Sequence, residues 1–209
     1  MKKILLISVA VLVFVIACTA IAAEETVSYV PIKISDSFNN NGIASEENYI
    51  GDLAGGYAYP AELWPQVKKS GIIVAGVPFL LADKTEETNN NISCNGDEIK
   101  FTPGNYSAIL ILGASVYAAT PLEENISLNY TGSTDDVILS LTDWCQEPQA
   151  GEKIAFTFAY RLSCNANMRE DIPNYIFMQT IQIDSKRKLA SITLSENVNM
   201  HIFAITLKK

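Results

Sequence analysis

Residues 126–141, ISLNYTGSTDDVILSL, carry the pattern that decides the fold. Apolar side chains take every second position on both sides of a turn-forming segment at residues 132–135; they are Ile126, Leu128, Tyr130, Val137, Leu139 and Leu141. Successive side chains of a strand point to opposite faces of a sheet, so this period of two predicts two half-buried strands joined by a turn.

Similar segments extend outward from this pair in both directions. The sequence predicts strands at 106–116 (YSAILILGASV), at 154–160 and at 200–207 (MHIFAITL). Pro31 interrupts the segment 27–34 and predicts an edge strand or a bulge there, because proline cannot donate a hydrogen bond to a neighbouring strand. About eight to ten short strands separated by turns predict an all-β fold, a single β-sandwich or jelly roll.

The first residues have the composition of an export signal. Two lysines precede an apolar run at residues 4–17, and Ala20-Ile21-Ala22 offers a cleavage site. A run of this length is shorter than the ~20 residues that span a bilayer. The sequence therefore predicts a signal peptide at 1–22 and one domain at 23–209, outside the cytoplasm.

A second processing route lies inside the same segment. Val15-Ile16-Ala17-Cys18 resembles the lipid-attachment box of bacterial lipoproteins, although such boxes usually have Leu where Val15 stands. The mature protein is accordingly either secreted or tethered to the cell surface through Cys18. In both cases we expect its only contact with a membrane to be through the signal or the lipid.

The net charge of the chain excludes some classes of binding partner. Fifteen basic residues against twenty-three acidic ones give a net charge of −8, which argues against binding to nucleic acid or anionic lipid. We expect a monomer.

In an oxidising compartment, the remaining Cys94, Cys145 and Cys164 predict one disulfide and one free thiol, with the pairing left open.

The candidate ligand residues lie in an Asn- and Gly-rich stretch with nearby aromatic residues. Sugars bind through aromatic rings, which pack on their C–H faces, and through amide or carboxylate groups, which bond their hydroxyls. The residues that supply these groups are Asn39, Asn40, Asp52, Tyr57, Tyr59, Trp64 and Trp144. The alternative is that Asn and Gly make turns and that the rings cover the core.

The sequence contains few residues that could act in catalysis. His201 is the single histidine and lies in the apolar last strand, where a structural role is the default. No nucleophile, phosphate-binding or metalloprotease motif occurs. A pair of carboxylates is the remaining route to an enzyme, so the residues favour a protein that is not an enzyme.

Six segments in this order resemble secreted galactose-binding-like jelly-roll domains, often attached to bacterial and fungal glycoside hydrolases. They are FNNNGI (38–43), GDLAGGYAYPAE (51–62), GVPF (76–79), PGNYS (103–107), TDW (142–144) and MHIFA (200–204). The resemblance implies a carbohydrate-binding or accessory domain. It also implies a structural calcium near the N-terminal loop, for which Asn40 and Asp52 are the candidate ligands. The cysteines are not part of the family's pattern.

Three functions are open at this point. The first is an exported, non-catalytic carbohydrate-binding or accessory module whose partner is a glycan. The second is a structural or adhesive protein of the cell envelope that binds other proteins. The third is a small glycoside hydrolase or lyase, which predicts a deep cleft with two facing carboxylates.

Overall fold

The computed structural model describes residues 27–68, 70–83 and 88–209. The predicted signal peptide, with Cys18 and both its processing routes, lies outside the described residues. In the part of the chain that is described, no helix is long and apolar enough to cross a membrane.

The described residues form a stack of antiparallel sheets. The central sheet has the order β1 (Tyr29–Ile32), β16 (Met200–Lys208), β8 (Ala108–Ser115), β14 (Asn174–Gln182), β11 (Lys153–Phe158), with β6 (Ile92–Ser93) also on β16. The second sheet has the order β10 (Ser133–Leu141), β9 (Leu122–Tyr130), β15 (Lys188–Thr193), β7 (Glu98–Asn105). This architecture confirms the all-β sandwich prediction.

Smaller elements cover the other face of the central sheet. The third sheet has the order β13 (Met168–Glu170), β12 (Arg161–Ser163), β3 (Tyr57–Pro60), β2 (Ile43–Ala44), in which only the β2–β3 pair is parallel. A hairpin of β4 (Ile72–Val74) and β5 (Val77–Phe79) and a 3-10 turn at Ser35–Ser37 complete the described elements. The strands exceed the predicted eight to ten because many have two to four residues, too few for a periodic signal.

The hairpin predicted from 126–141 is present as β9 and β10. Tyr130 pairs with Ser133, so the turn consists of Thr131 and Gly132 alone, and the predicted turn residues 133–135 already belong to β10. Gly132 has a φ of +92°, in the region that glycine enters without steric cost. The pattern thus gave the right pair of strands with a turn that was too long.

The central sheet is buried on both faces. Ile109 and Ile111 of β8 pack into the core shared with the second sheet, whereas Leu110 and Leu112 pack into the core beneath the third sheet. A strand covered on both sides needs apolar residues at consecutive positions, which explains why residues 108–114 include no polar side chain. Each such Leu or Ile side chain stabilises the fold by ~1.5–3 kcal/mol.

Pro31 lies in β1, at the outer edge of the central sheet, as predicted. Lys209 N donates to Ser28 O, so every second residue from Ser28 onward bonds β16. Pro31 falls on the alternate positions, whose backbone groups point away from β16. Its missing N–H therefore lies on the open edge, where it hinders pairing with another chain.

The three described cysteines are free thiols, so the disulfide expected from the sequence is not formed. Each one packs against a different apolar cluster: Cys94 inside the core of the second sheet, Cys145 beside the core under the third sheet, and Cys164 beside a small cluster around Leu162. Burial raises the pKa of the Cys94 thiol to about 12. The fold separates the side chains that a disulfide would have to join.

Candidate ligand-binding site

Asparagine side chains anchor the segment 38–56 to the central sheet. Asn91, which is fully buried, donates from Nδ2 to Asn40 Oδ1 at 3.0 Å and to Asn90 Oδ1 at 2.9 Å. Asn41 Nδ2 donates to Ile50 O at 2.7 Å. These amides replace the strand pairing that such an irregular segment lacks, and they fix its position.

His201 supports this network from strand β16. Its Nδ1 lies 2.8 Å from Asn91 Oδ1, and because Asn91 Nδ2 already faces carbonyl oxygens, the imidazole must be the donor of this bond. Burial lowers the pKa of His201 to about 4, so the ring is neutral at ordinary pH. The single histidine therefore holds a loop in place.

The predicted ligand residues Asn39 and Asn40 also have structural partners. Asn39 Nδ2 donates to Ser93 O at 2.9 Å, and Asn39 Oδ1 accepts from Ser93 N at 2.8 Å. Asn40 Nδ2 donates to Asp52 O at 2.7 Å. The Asn39 amide bonds the backbone of Ser93, and the Asn40 amide bonds the Asp52 backbone and the Asn91 side chain, which leaves little hydrogen-bonding capacity for a ligand.

The candidate calcium ligands Asn40 and Asp52 each accept a hydrogen bond from within the protein, and the calcium site implied by the resemblance stays a prediction. Asn40 Oδ1 accepts from Asn91, and Asp52 Oδ1 accepts from Gly56 N at 2.7 Å. Calcium requires six to eight oxygen ligands. Among the described residues, no three His, Cys, Asp or Glu side chains are grouped so that they could hold a metal ion.

Three of the predicted aromatic ligand residues, Tyr59, Trp64 and Trp144, lie inside the core, and Trp144 is only 3% exposed. Tyr59 is fully buried, and its ring packs edge-on against Trp144 with a centroid distance of 5.0 Å. Trp64 is 4% exposed and stacks on Phe158 at 5.8 Å. The polar atoms of Tyr59 and Trp64 are satisfied internally, since Tyr59 Oη donates to Tyr175 O and Trp64 Nε1 to Ala82 O. Neither the Tyr59 ring nor the Trp64 ring lines the two depressions described below.

An open depression of about 590 Å³, here called the polar depression, contains the exposed Asp52. Gly55 and Gly56 form one side with φ values of +60° and +89°. A Cβ atom on Gly56 would clash with the Asn165 amide, whose Nδ2 donates to Gly55 O at 3.1 Å. Glycine is therefore needed here both for its backbone angle and for the close approach of Asn165.

A second depression of about 150 Å³, the aromatic depression, is lined by Tyr57, Tyr117, Trp144 and Arg161. The Arg161 guanidinium carbon lies 4.1 Å above the Tyr57 ring and 5.9 Å from the Trp144 ring. Glu170 Oε2 accepts from Arg161 Nε at 2.9 Å and from Nη2 at 2.7 Å. The ion pair and the stacked rings hold the floor of this depression rigid.

The two depressions adjoin and form one surface. Ala54 lines the aromatic depression and Gly55, the next residue, lines the polar one. Tyr117 is 68% exposed and its hydroxyl lies close enough to Gly55 that a Cβ atom there would clash with it. Polar groups thus meet the exposed ring of Tyr117 and the half-buried ring of Tyr57 across residues 54–57.

Asp143 and Cys145, which line the aromatic depression, are both constrained by their surroundings. Asp143 is 8% exposed, and its two carboxylate oxygens accept from Cys145 N at 2.9 Å and Ala118 N at 3.1 Å. Burial raises the pKa of the Cys145 thiol to about 11, although Arg161 Nη1 lies 3.4 Å from its sulfur. A protonated thiol is a poor nucleophile.

Of the predicted ligand residues, Asp52, Tyr57 and Trp144 line the two depressions, whereas the other four do not. The sequence did not single out Tyr49, Tyr117, Arg161 or Asn165. The one signal available was Arg161, a cation that directly follows the aromatic alternation at 154–160. Tyr117 follows an apolar strand without a motif, and its φ of +58° is visible only in the structure.

A family model described as AziU2-like beta-sandwich domain matches residues 27–209. No curated protein matches the chain. The family description agrees with the β-sandwich predicted from the sequence. It does not name galactose-binding-like domains or glycoside hydrolases, so that finer resemblance stays a prediction.

Proposed function

The chain belongs to the AziU2-like beta-sandwich domain family, and we propose that it is a non-catalytic carbohydrate-binding domain. Its ligand lies across the polar and aromatic depressions. The observation that carries the proposal is the meeting of two kinds of group on one surface: the Asp52 carboxylate and Asn165 amide on one side of residues 54–57, and the rings of Tyr57 and Tyr117 on the other.

These groups match the chemistry of a sugar ring. Aromatic faces pack on the apolar C–H patches of a pyranose, and a few fixed polar groups orient the hydroxyls. Tyr57 is braced by the Arg161 guanidinium, and the polar depression is shaped by glycines that Asn165 approaches closely. A rigid surface of this kind binds with a small loss of conformational entropy.

The same surface supports binding without catalysis. Asp143 uses both oxygens to hold the backbone, and Cys145 is protonated at neutral pH. Both depressions are open to solvent, whereas glycoside hydrolysis needs two carboxylates that face each other across the scissile bond. The proposal includes export, which rests on the composition of residues 1–22.

Replacing Tyr117 by Ala is expected to weaken glycan binding about tenfold, which corresponds to ~1.4 kcal/mol. The side chain is 68% exposed, so its removal leaves the core intact. The matched control is Ile138→Ala, which removes a side chain of 61% exposure from the second sheet and should not change the affinity. The measurement is a glycan array followed by calorimetric titration of the best ligand.

Each outcome of this experiment decides one part of the proposal. If the wild-type protein binds no glycan, carbohydrate binding is wrong. If it binds a glycan and Tyr117→Ala leaves the affinity unchanged, the function stands and the site is wrong. Equal losses for Tyr117→Ala and Ile138→Ala would show a general effect of surface substitution.

A further inference from the structure

We infer that the ligand carries a free amino group, so that its class is an amino-sugar oligosaccharide with unacetylated amines. This inference rests on the proposed function and concerns the polar depression of the same surface. It is carried by the position of charges around the two depressions.

Asp52 is the one charged side chain among the nine described residues that line the polar depression. It is exposed, and Oδ1 accepts a single backbone hydrogen bond, from Gly56 N. The Cys164 thiol in the same depression is neutral, because burial raises its pKa. The electrostatic character of the depression is therefore set by a single carboxylate.

The cation nearest to this surface is already neutralised. Arg161 donates two hydrogen bonds to Glu170 Oε2, and the two side chains are 18% and 22% exposed. An acidic sugar would find no unpaired cation among the described residues that line either depression.

A protonated amine is the group that this arrangement favours. A carboxylate and an ammonium form a charge-assisted hydrogen bond, which is stronger than a neutral one. Tyr49 lines the same depression and offers an aromatic ring to a cation. The net charge of −8 further attracts cations and repels anionic glycans.

The test compares two oligosaccharides of equal length, β-1,4-linked glucosamine and β-1,4-linked N-acetylglucosamine, by calorimetry in mildly acidic buffer. The wild-type protein is expected to bind the amino form about fivefold more tightly, the upper range for an exposed ion pair. Added salt should remove this difference. In the Asp52→Asn variant both forms should bind with the affinity of the acetylated one.

Asp52→Asn keeps an oxygen that can accept from Gly56 N, so the loop is retained, and a circular dichroism spectrum verifies the fold. The control is Asp136→Asn, which removes an exposed carboxylate from β10 of the second sheet and should preserve the preference. Equal binding of both forms, or an equal effect of both variants, would overturn the inference while carbohydrate binding stands. Tighter binding of an acidic glycan would do the same. Absence of binding to any glycan would overturn the proposed function itself.

Discussion

Tyr59→Ala is expected to lower the free energy of unfolding by about 3–5 kcal/mol, the range for removing a large aromatic side chain from a core. The Tyr59 ring has no exposed surface and packs against four other aromatic residues: Trp64, Trp144, Phe158 and Phe203. Its removal leaves a cavity that the surrounding strands cannot close. Chemical denaturation monitored by tryptophan fluorescence measures the loss.

Tyr59→Phe separates packing from hydrogen bonding. It keeps the ring and removes the bond to Tyr175 O, so it should cost about 1 kcal/mol. If Tyr59→Ala instead kept the wild-type stability and abolished glycan binding, Tyr59 would be a ligand residue and the assignment of this ring to the core would be wrong.

A second large effect is expected on acidification. The pKa of His201 is lowered from 6.5 to about 4 in the folded protein, because burial disfavours the charged ring. The unfolded chain therefore binds more protons between these two values. The contribution of neutral His201 is complete above pH 6.5, and it is lost as the pH falls through this window, by about 3 kcal/mol in total.

Denaturation curves recorded between neutral pH and pH 4 measure this loss. His201→Gln is the reference, since its amide can donate to Asn91 Oδ1 and does not titrate. The wild-type protein should lose more stability than the variant across the window. Because both proteins have the same carboxylates, this difference reports the titration of His201 alone. Parallel curves, or a histidine pKa near 6.5 in the folded protein by NMR, would contradict the buried neutral ring.

The sequence was sufficient to predict the fold class and the long strands. The two strands at 126–141 are adjacent in the chain and pair without a register shift, so local pattern and final structure coincide. The third sheet was not predicted because β12 and β13 have three residues each, and because β12 pairs with β3, which is distant in the chain. Nor could the pattern reveal that β8 is covered on both faces, since an apolar run is compatible with several environments.

The candidate site was predicted in part. Asp52, Tyr57 and Trp144 were named and do line the depressions, although their role as ligand residues stays a prediction. Tyr57 and Tyr59 are two positions apart in one strand and point to the same side. The sequence pattern therefore predicts the same degree of burial for both rings. What separates them is that Phe158 and Phe203, from distant strands, cover only Tyr59.

Carbohydrate binding at the two depressions is tested most directly by two-dimensional NMR. The ¹⁵N-labelled protein is titrated with an oligosaccharide that it binds. If the ligand lies across the two depressions, the amide shifts change at their residues, from Gly51 to Tyr57 and around Tyr117 and Asn165. Amides of the second sheet should stay unchanged. Shifts confined to β7, β9, β10 and β15, with none around residues 51–57, would contradict this placement of the ligand.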